Sequence, residues 1–196
     1  VLFVTLFMVW WMLGDRPPRT QLEADLMHAT DTVEASPSDP KAFEQLGYVY
    51  MRAGRYEDAL QAFDDAIALD DQDGVLHYDR AEALLALDRS DDAIEAAEKA
   101  IELYKNLQPA YLLIGEVLSD RGDWEEALPY LEKASTIEDT DMDARFMYAK
   151  ALLATGDAES ALMQFQVVES VLPDYPGLKE ELDALRRELS AIADWG

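Results

Sequence analysis

The chain has no cysteine and only two histidines among its 196 residues. Disulfides and thiolate metal sites are therefore excluded, and cysteine usage gives no indication of redox compartment. His28 and His77 fall in separate predicted helices, so neither is expected to act as a metal ligand or a general base. Basic residues are also scarce, at 16 against 41 acidic, for a formal net charge of −25. Nucleic acid is not expected as a partner, because binding it needs a cationic footprint that releases counterions. There is no phosphate-binding loop, no nucleophile motif and no zinc-ligand spacing. The expectation is a non-catalytic protein without cofactor or metal.

What the chain has is a period. The pattern of residues 40–73, PKAFEQLGYVYMRAGRYEDALQAFDDAIALDDQD, restarts at Gly74, Gln108 and Met142, with a fifth start at Pro176, each 34 residues after the last. A fixed period of this length marks stacked supersecondary units. In the first copy Phe43, Leu46, Gly47 and Tyr50 recur at helical spacing and Gly54 closes that helix; Ala59, Phe63, Ala66 and Leu69 then form the inner stripe of a second. Gly47, Ala59 and Ala66 let two backbones approach, while Phe43, Tyr50, Tyr56 and Phe63 fill the space between them. The third copy repeats this closely with Tyr111, Ile114, Gly115, Leu118, Gly122, Trp124, Ala127, Leu131, Ala134 and Ile137. The fourth keeps Ala149, Leu152, Gly156, Ala161, Phe165 and Pro173 but places Arg145 and Tyr148 at the first two large positions. The second is loosest, with His77, Arg80, Ala81, Leu84, Asp88, Ala93, Ala97, Ala100 and Leu103, and is expected to form a thinner pair.

These positions resemble the tetratricopeptide repeat, W-x2-L-G-x2-Y, then A-x3-F, then a terminal proline, with Asp71 in the proline's place in the first copy. The resemblance implies an all-α fold, an α-solenoid of about four helix-turn-helix units: 40–73, 74–107, 108–141 and 142–175. It also implies protein binding in a groove lined by the first helix of each unit. Carried over by position, the groove residues are Lys41, Glu44, Tyr48, Met51 and Arg52, then Val75, Tyr78, Glu82, Leu85 and Ala86, then Pro109, Leu112, Glu116, Ser119 and Asp120, then Asp143, Phe146, Lys150, Leu153 and Ala154; of these the candidates for partner contact are Glu44, Tyr48, Met51, Arg52, Tyr78, Glu82, Leu85, Leu112, Glu116, Phe146, Lys150 and Leu153. The chaperone-binding members grip a C-terminal carboxylate with a Lys and Asn clamp; Glu44, Tyr48 and Asp79 at matching positions would disfavour that ligand.

Outside the repeats, residues 1–14, VLFVTLFMVWWMLG, are apolar apart from Thr5, and no charge appears before Asp15. Such a helix spans only about 20 Å against roughly 30 Å of hydrocarbon. The sequence as given starts at Val1, so the stretch is read as the C-terminal half of a membrane anchor presenting Leu2, Phe3, Leu6, Phe7, Trp10, Trp11 and Leu13, with the two tryptophans at the interface. A cleaved signal and an apolar helix docked on a partner are the alternatives, the former disfavoured by the lack of a small-residue cleavage site. Arg16 and Arg19 favour a cytoplasmic array unless the upstream flank is more basic, so either side of the membrane stays open.

Residues 15–19 form a proline linker. Residues 20–39 then read as the second helix of a half repeat, with Thr20 and Glu23 as a capping box and Leu22, Leu26, Ala29 and Val33 on one face. Residues 176–196 read as a capping helix, with Leu178, Leu182, Leu185 and Leu189 inward. Pro129 is placed near the start of its helix. The acidic runs DDQD at 70–73 and EDTDMD at 138–143 read as solvated turns. The expected function is a membrane-anchored scaffold subunit or assembly factor of a membrane protein complex. Its partners would be integral membrane subunits, or a peptide segment with apolar and basic residues. A peripheral adaptor, or a regulator of a catalytic partner, is the alternative.

Overall fold

The computed structural model describes residues 20–193, and the stretch read as a membrane anchor lies outside them. Ten helices and no strands occur among the described residues, falling into two compact units with the boundary between Asp71 and Gln72. None of these helices is long and apolar enough to cross a membrane.

The N-terminal unit holds α1 (Gln21–Ala35), α2 (Pro40–Arg52) and α3 (Tyr56–Leu69). Helix α1 starts as the sequence requires: the Thr20 hydroxyl accepts from the Glu23 backbone N–H at 3.1 Å, satisfying one of the donors a helix start leaves open. α1 packs on α2, and α2 on α3. The inner stripe of α3 is Ala59, Ala62, Phe63 and Ala66, all buried. Leu69, expected as its fourth member, is instead 44% exposed, because it is the last residue of the helix and no further turn carries it inward. The close approach expected at Gly47 is real: a Cβ there would come within 2.4 Å of the Phe63 ring.

The C-terminal unit runs through α4 (Gly74–Ala86), α5 (Ser90–Leu103), α6 (Gln108–Arg121), α7 (Trp124–Ile137), α8 (Met142–Ala154), α9 (Ala158–Val171) and α10 (Leu178–Ala193). Each helix packs on the next, and α6 also touches α8, so first helices neighbour one another as in a solenoid. The copy that departs furthest from the repeat pattern, α4 and α5, is built from small residues, with Ala81, Ala83, Ala93, Ala96, Ala97 and Ala100 buried around Leu76 and Leu84. Where the other copies close the first helix with Gly54, Gly122 and Gly156 at positive φ, this copy holds Asp88 at φ 58°. Aspartate is among the few residues that visit this region. The last helix is a cap: Leu178, Leu182 and Leu185 are buried against Met142, Leu152, Phe165 and Val168, with Leu189 partly buried beside them. It begins two residues later than the period suggests, because Tyr175, Pro176 and Gly177 form a turn with Gly177 at φ 77°.

Two sequence expectations are revised. Pro129 lies at the sixth position of α7, inside the helix rather than in its first turn; the Glu125 carbonyl therefore lacks the N–H donor that any other residue would give it. The acidic turns are not simply solvated. Asp39, Asp73 and Asp141 recur 34 residues apart (with Leu107 between) and cap α2, α4 and α8 by accepting from Lys41, Val75, Asp143 and Ala144 N–H groups at 2.9–3.0 Å.

Candidate functional site

The candidate residues fall on two faces, one in each unit. In the N-terminal unit α1 and α2 enclose a surface hollow of about 330 Å³ lined by Asp25, His28, Ala29, Gln45, Tyr48, Val49 and Arg52. Arg52, expected in a groove, is held by Asp25 at 3.0 Å. Asp25 also accepts from the Gln21 amide at 2.7 Å, and this bond first, then Arg52, holds its carboxyl below the usual range. Tyr48 stands edge-on to Phe63 with ring centres 5.6 Å apart and donates its hydroxyl to Glu44 at 3.4 Å. Met51 is half-buried. Asp25, His28 and Gln45 were not anticipated here. Side-chain direction across a helix pair is set by packing and not by spacing.

In the C-terminal unit the first helices gather acids. Burial raises the Tyr78 phenol well above its ordinary range, helped by the charge of Glu82, its hydrogen bond to Glu82, and the charges of Asp79 and Glu116. The Glu116 carboxyl is raised by partial removal from water and then by Asp120, Asp143 and Asp141. More than a third of Glu116 is still open to solvent, so water screens much of that repulsion. Tyr175 donates to Asp143 at 2.6 Å; its phenol is also raised, by burial first, then by that bond and by Asp143, Asp141 and Glu116. Tyr78, Glu82, Glu116, Asp143 and Tyr175 thus share one electrostatic neighbourhood reaching from α4 to the turn before α10. Gln108, buried at the start of α6, donates to Asp141 at 2.6 Å and fixes the loop before α8.

The other candidates divide. Leu85, Leu112 and Lys150 are half-buried on α4, α6 and α8. Phe146 packs between Phe165 and Tyr175, at 5.4 and 4.7 Å between ring centres, and Leu153 lies against the same core; both are half-buried. Ser119 is buried and donates to the Gly115 carbonyl at 2.7 Å. Asp79 is 2% exposed and cannot reach a ligand. Arg145, unusual at a packing position, bridges Gln164 at 2.8 Å and the Asp139 carbonyl at 3.0 Å. Tyr175 and Asp141 were missed as members of the acidic face. The signal that could have found Asp141 was the 34-residue recurrence of aspartate before first helices.

In the C-terminal unit, helix pairs packed one on the next, with α6 beside α8, are those of a helical-repeat protein. One tetratricopeptide-repeat model matches residues 28–74, 44–111 and 78–137, and a second matches 118–189; the chain belongs to the tetratricopeptide-repeat family. It is 33% identical over 117 residues to the "Protein STIP1 homolog" of Dictyostelium discoideum, an alignment covering 60% of this chain and 21% of that protein. The chain thus spans about a fifth of that relative's length. Among solved structures it resembles "YrrB: a TPR protein with an unusual peptide-binding site", with TM-score 0.74, 22% identity, and 83% and 84% of the two chains covered. It also resembles the "First TPR of Spaghetti (RPAP3) bound to HSP90 peptide SRMEEVD", with TM-score 0.57, 22% identity, and 60% and 93% covered. These proteins share the fold, and proteins of this family mediate protein–protein interaction.

Proposed function

We propose that the chain is a non-catalytic protein-binding module whose first-helix face in the C-terminal unit takes a peptide segment carrying basic and apolar side chains. The observation that carries this is the crowding of Glu116 by Asp120, Asp141 and Asp143, beside Tyr78 and Glu82. Several carboxylates in one neighbourhood offer a cation charge-assisted hydrogen bonds, and half-buried Leu85 and Leu112 offer apolar contact beside them. An acidic tail such as SRMEEVD would meet like charge on this face, so the ligand of the Spaghetti structure is not the ligand proposed here. Residues 1–14 tether the module to a membrane in this reading, and the natural partners are membrane-protein subunits whose assembly or scaffolding it serves. Support for the tether comes from the apolar run alone, which only Thr5 interrupts.

The test uses the full chain in mild detergent and two fluorescent peptides of equal length, one alternating leucine with arginine and one alternating leucine with glutamate. Binding of the basic peptide, weakened at least tenfold by E82K/E116K with helicity unchanged, is expected. Equal binding of the acidic peptide would sink the reading. Carbonate extraction of membranes should leave the full chain in the pellet and release a variant lacking residues 1–14. Release of both would favour a peripheral adaptor.

A further inference from the structure

The repeat supplies its own control for one exposed surface. On α9, Met163, Val167 and Val171 follow one another at four-residue spacing and are 57%, 38% and 56% exposed. The side chains beside them, Ser160, Gln166 and Ser170, carry no charge. At the positions of Met163 and Val167 the earlier second helices have Gln61 and Asp65, Glu95 and Lys99, and Pro129 and Lys133; at those of Ser160 and Gln166 they have acids throughout, from Asp58 and Asp64 to Glu126 and Glu132. Those polar side chains bond within their own helix: Gln61 donates to Asp65 at 3.0 Å and Lys99 pairs with Glu102 at 2.7 Å. At the position of Val171 every copy is apolar, with Leu69, Leu103 and Ile137; the fourth copy differs in carrying Met163 and Val167 before it, which extends the exposed apolar face along the helix in a chain of net charge −25, and a patch of this kind marks an interaction site.

We propose that this face pairs two copies of the chain, α9 antiparallel to the partner's α9 about a two-fold axis near Val167. Charge selects the occupant. Two strongly acidic chains repel except where acids are missing, and the stripe removes them at the contact. The ends of the stripe are also complementary. Glu159 lies in the first turn of α9, whereas the other end is flanked by Arg186 of α10, which reaches Glu169 at 3.0 Å, with Lys179 lining the same hollow between α9 and α10. Antiparallel pairing brings the Glu159 end of one copy to the Arg186 end of the other. The 13 residues from 159 to 171 span only about 18 Å, so the interface falls in the small class and the dimer is a weak one. Added salt screens the repulsion between the two chains and strengthens it.

The absence of cysteine gives a clean background for the test. V167C and, at the equivalent position of the first copy, Q61C are made in the full chain in mild detergent. Disulfide formation under mild oxidation and alkylation of the thiol are followed across a hundredfold range of concentration. V167C should cross-link at least tenfold faster than Q61C, its alkylation should slow as concentration rises, and adding V171E should return it to the control rate. E159R should weaken cross-linking, and E159R/R186E should restore it. Equal rates for V167C and Q61C would overturn the proposal. So would protection from alkylation that does not change on dilution, which would mean that the stripe is covered within one chain, for instance by residues 1–14. Failure of the charge swap to restore cross-linking would overturn the antiparallel arrangement.

Discussion

Replacing Gly115 by alanine tests whether this structure really depends on close helix approach. Gly115 lies in the interior of α6, where alanine is normally favoured over glycine by about 1 kcal/mol. A Cβ built there falls 2.4 Å from Leu131 Cδ2 and 2.5 Å from its Cγ, against roughly 3.5–4.0 Å for carbon atoms in comfortable contact. Leu131 is wholly buried and cannot swing into solvent, which puts the overlap near the upper end of the usual ~1–3 kcal/mol for overpacking. The net expectation is a loss of about 2 kcal/mol, opposite in sign to helix propensity. A cycle with Leu131→Ala sharpens this. Leu131→Ala alone should cost ~2–5 kcal/mol, but with the clash removed Gly115→Ala should become stabilising by about 1 kcal/mol, a coupling of about 3 kcal/mol. The assay is urea denaturation followed by circular dichroism, with the slope compared between variants. If Gly115→Ala is as stable as the parent chain, or keeps the same sign in both backgrounds, the packing argument fails.

Three further expectations follow from single side chains. Asp88→Gly should raise stability by up to ~1 kcal/mol, because only glycine adopts a positive φ without penalty, whereas Asp88→Val should lower it; thermal melts decide. Asp141→Ala removes a cap worth about 1 kcal/mol and strips the buried Gln108 amide of its acceptor, worth a further ~1–3 kcal/mol. Asp141→Asn keeps one oxygen, enough for the cap on Asp143 and Ala144 but not also for the Gln108 amide, and should recover only the cap's share of that loss in the same denaturation assay. The raised carboxyl pKa of Glu116 means the folded state holds that proton more tightly than the unfolded one. Its contribution is therefore most favourable below the ordinary glutamate value of about 4.3 and declines as pH rises through the raised value. Glu116→Gln should accordingly stabilise the chain at pH 7, with the gain disappearing by pH 4; a gain that persists there would contradict the electrostatic origin.

Much of the architecture was legible because a 34-residue period repeats its own evidence. Gly47 against Phe63 and Gly115 against Leu131 are the same contact read twice, and Thr20 announces α1 by chemistry local to three residues. The outward turn of Leu69 and the depth of Pro129 were harder to see, since helix ends and positions within a turn depend on where each helix stops rather than on the period. The candidate site was legible only in part. The repeat register put Glu82, Glu116 and Asp143 on first helices, and Tyr175 lies 32 residues from Asp143 and Gln108 33 residues from Asp141, about one repeat apart; which side chains meet across that interval depends on how successive helix pairs return to the same side. Phe146 shows the converse, a residue at a groove position that the neighbouring helix and turn claim for packing.

The phenols on these faces have one more consequence. Tyr175 donates to Asp143, Tyr78 to Glu82 and Tyr48 to Glu44. With their pKa values raised, the Tyr175 and Tyr78 hydroxyls keep their protons across the physiological range. Hydroxyls that could have greeted a visiting carbonyl or carboxylate are thus already turned toward the protein's own acids, and the oxygens left facing outward are rich in lone pairs. Such a surface reads the donors of its visitor: a guanidinium with five N–H groups finds several acceptors at once, while a segment offering only acceptors must first break a bond that the protein has made with itself.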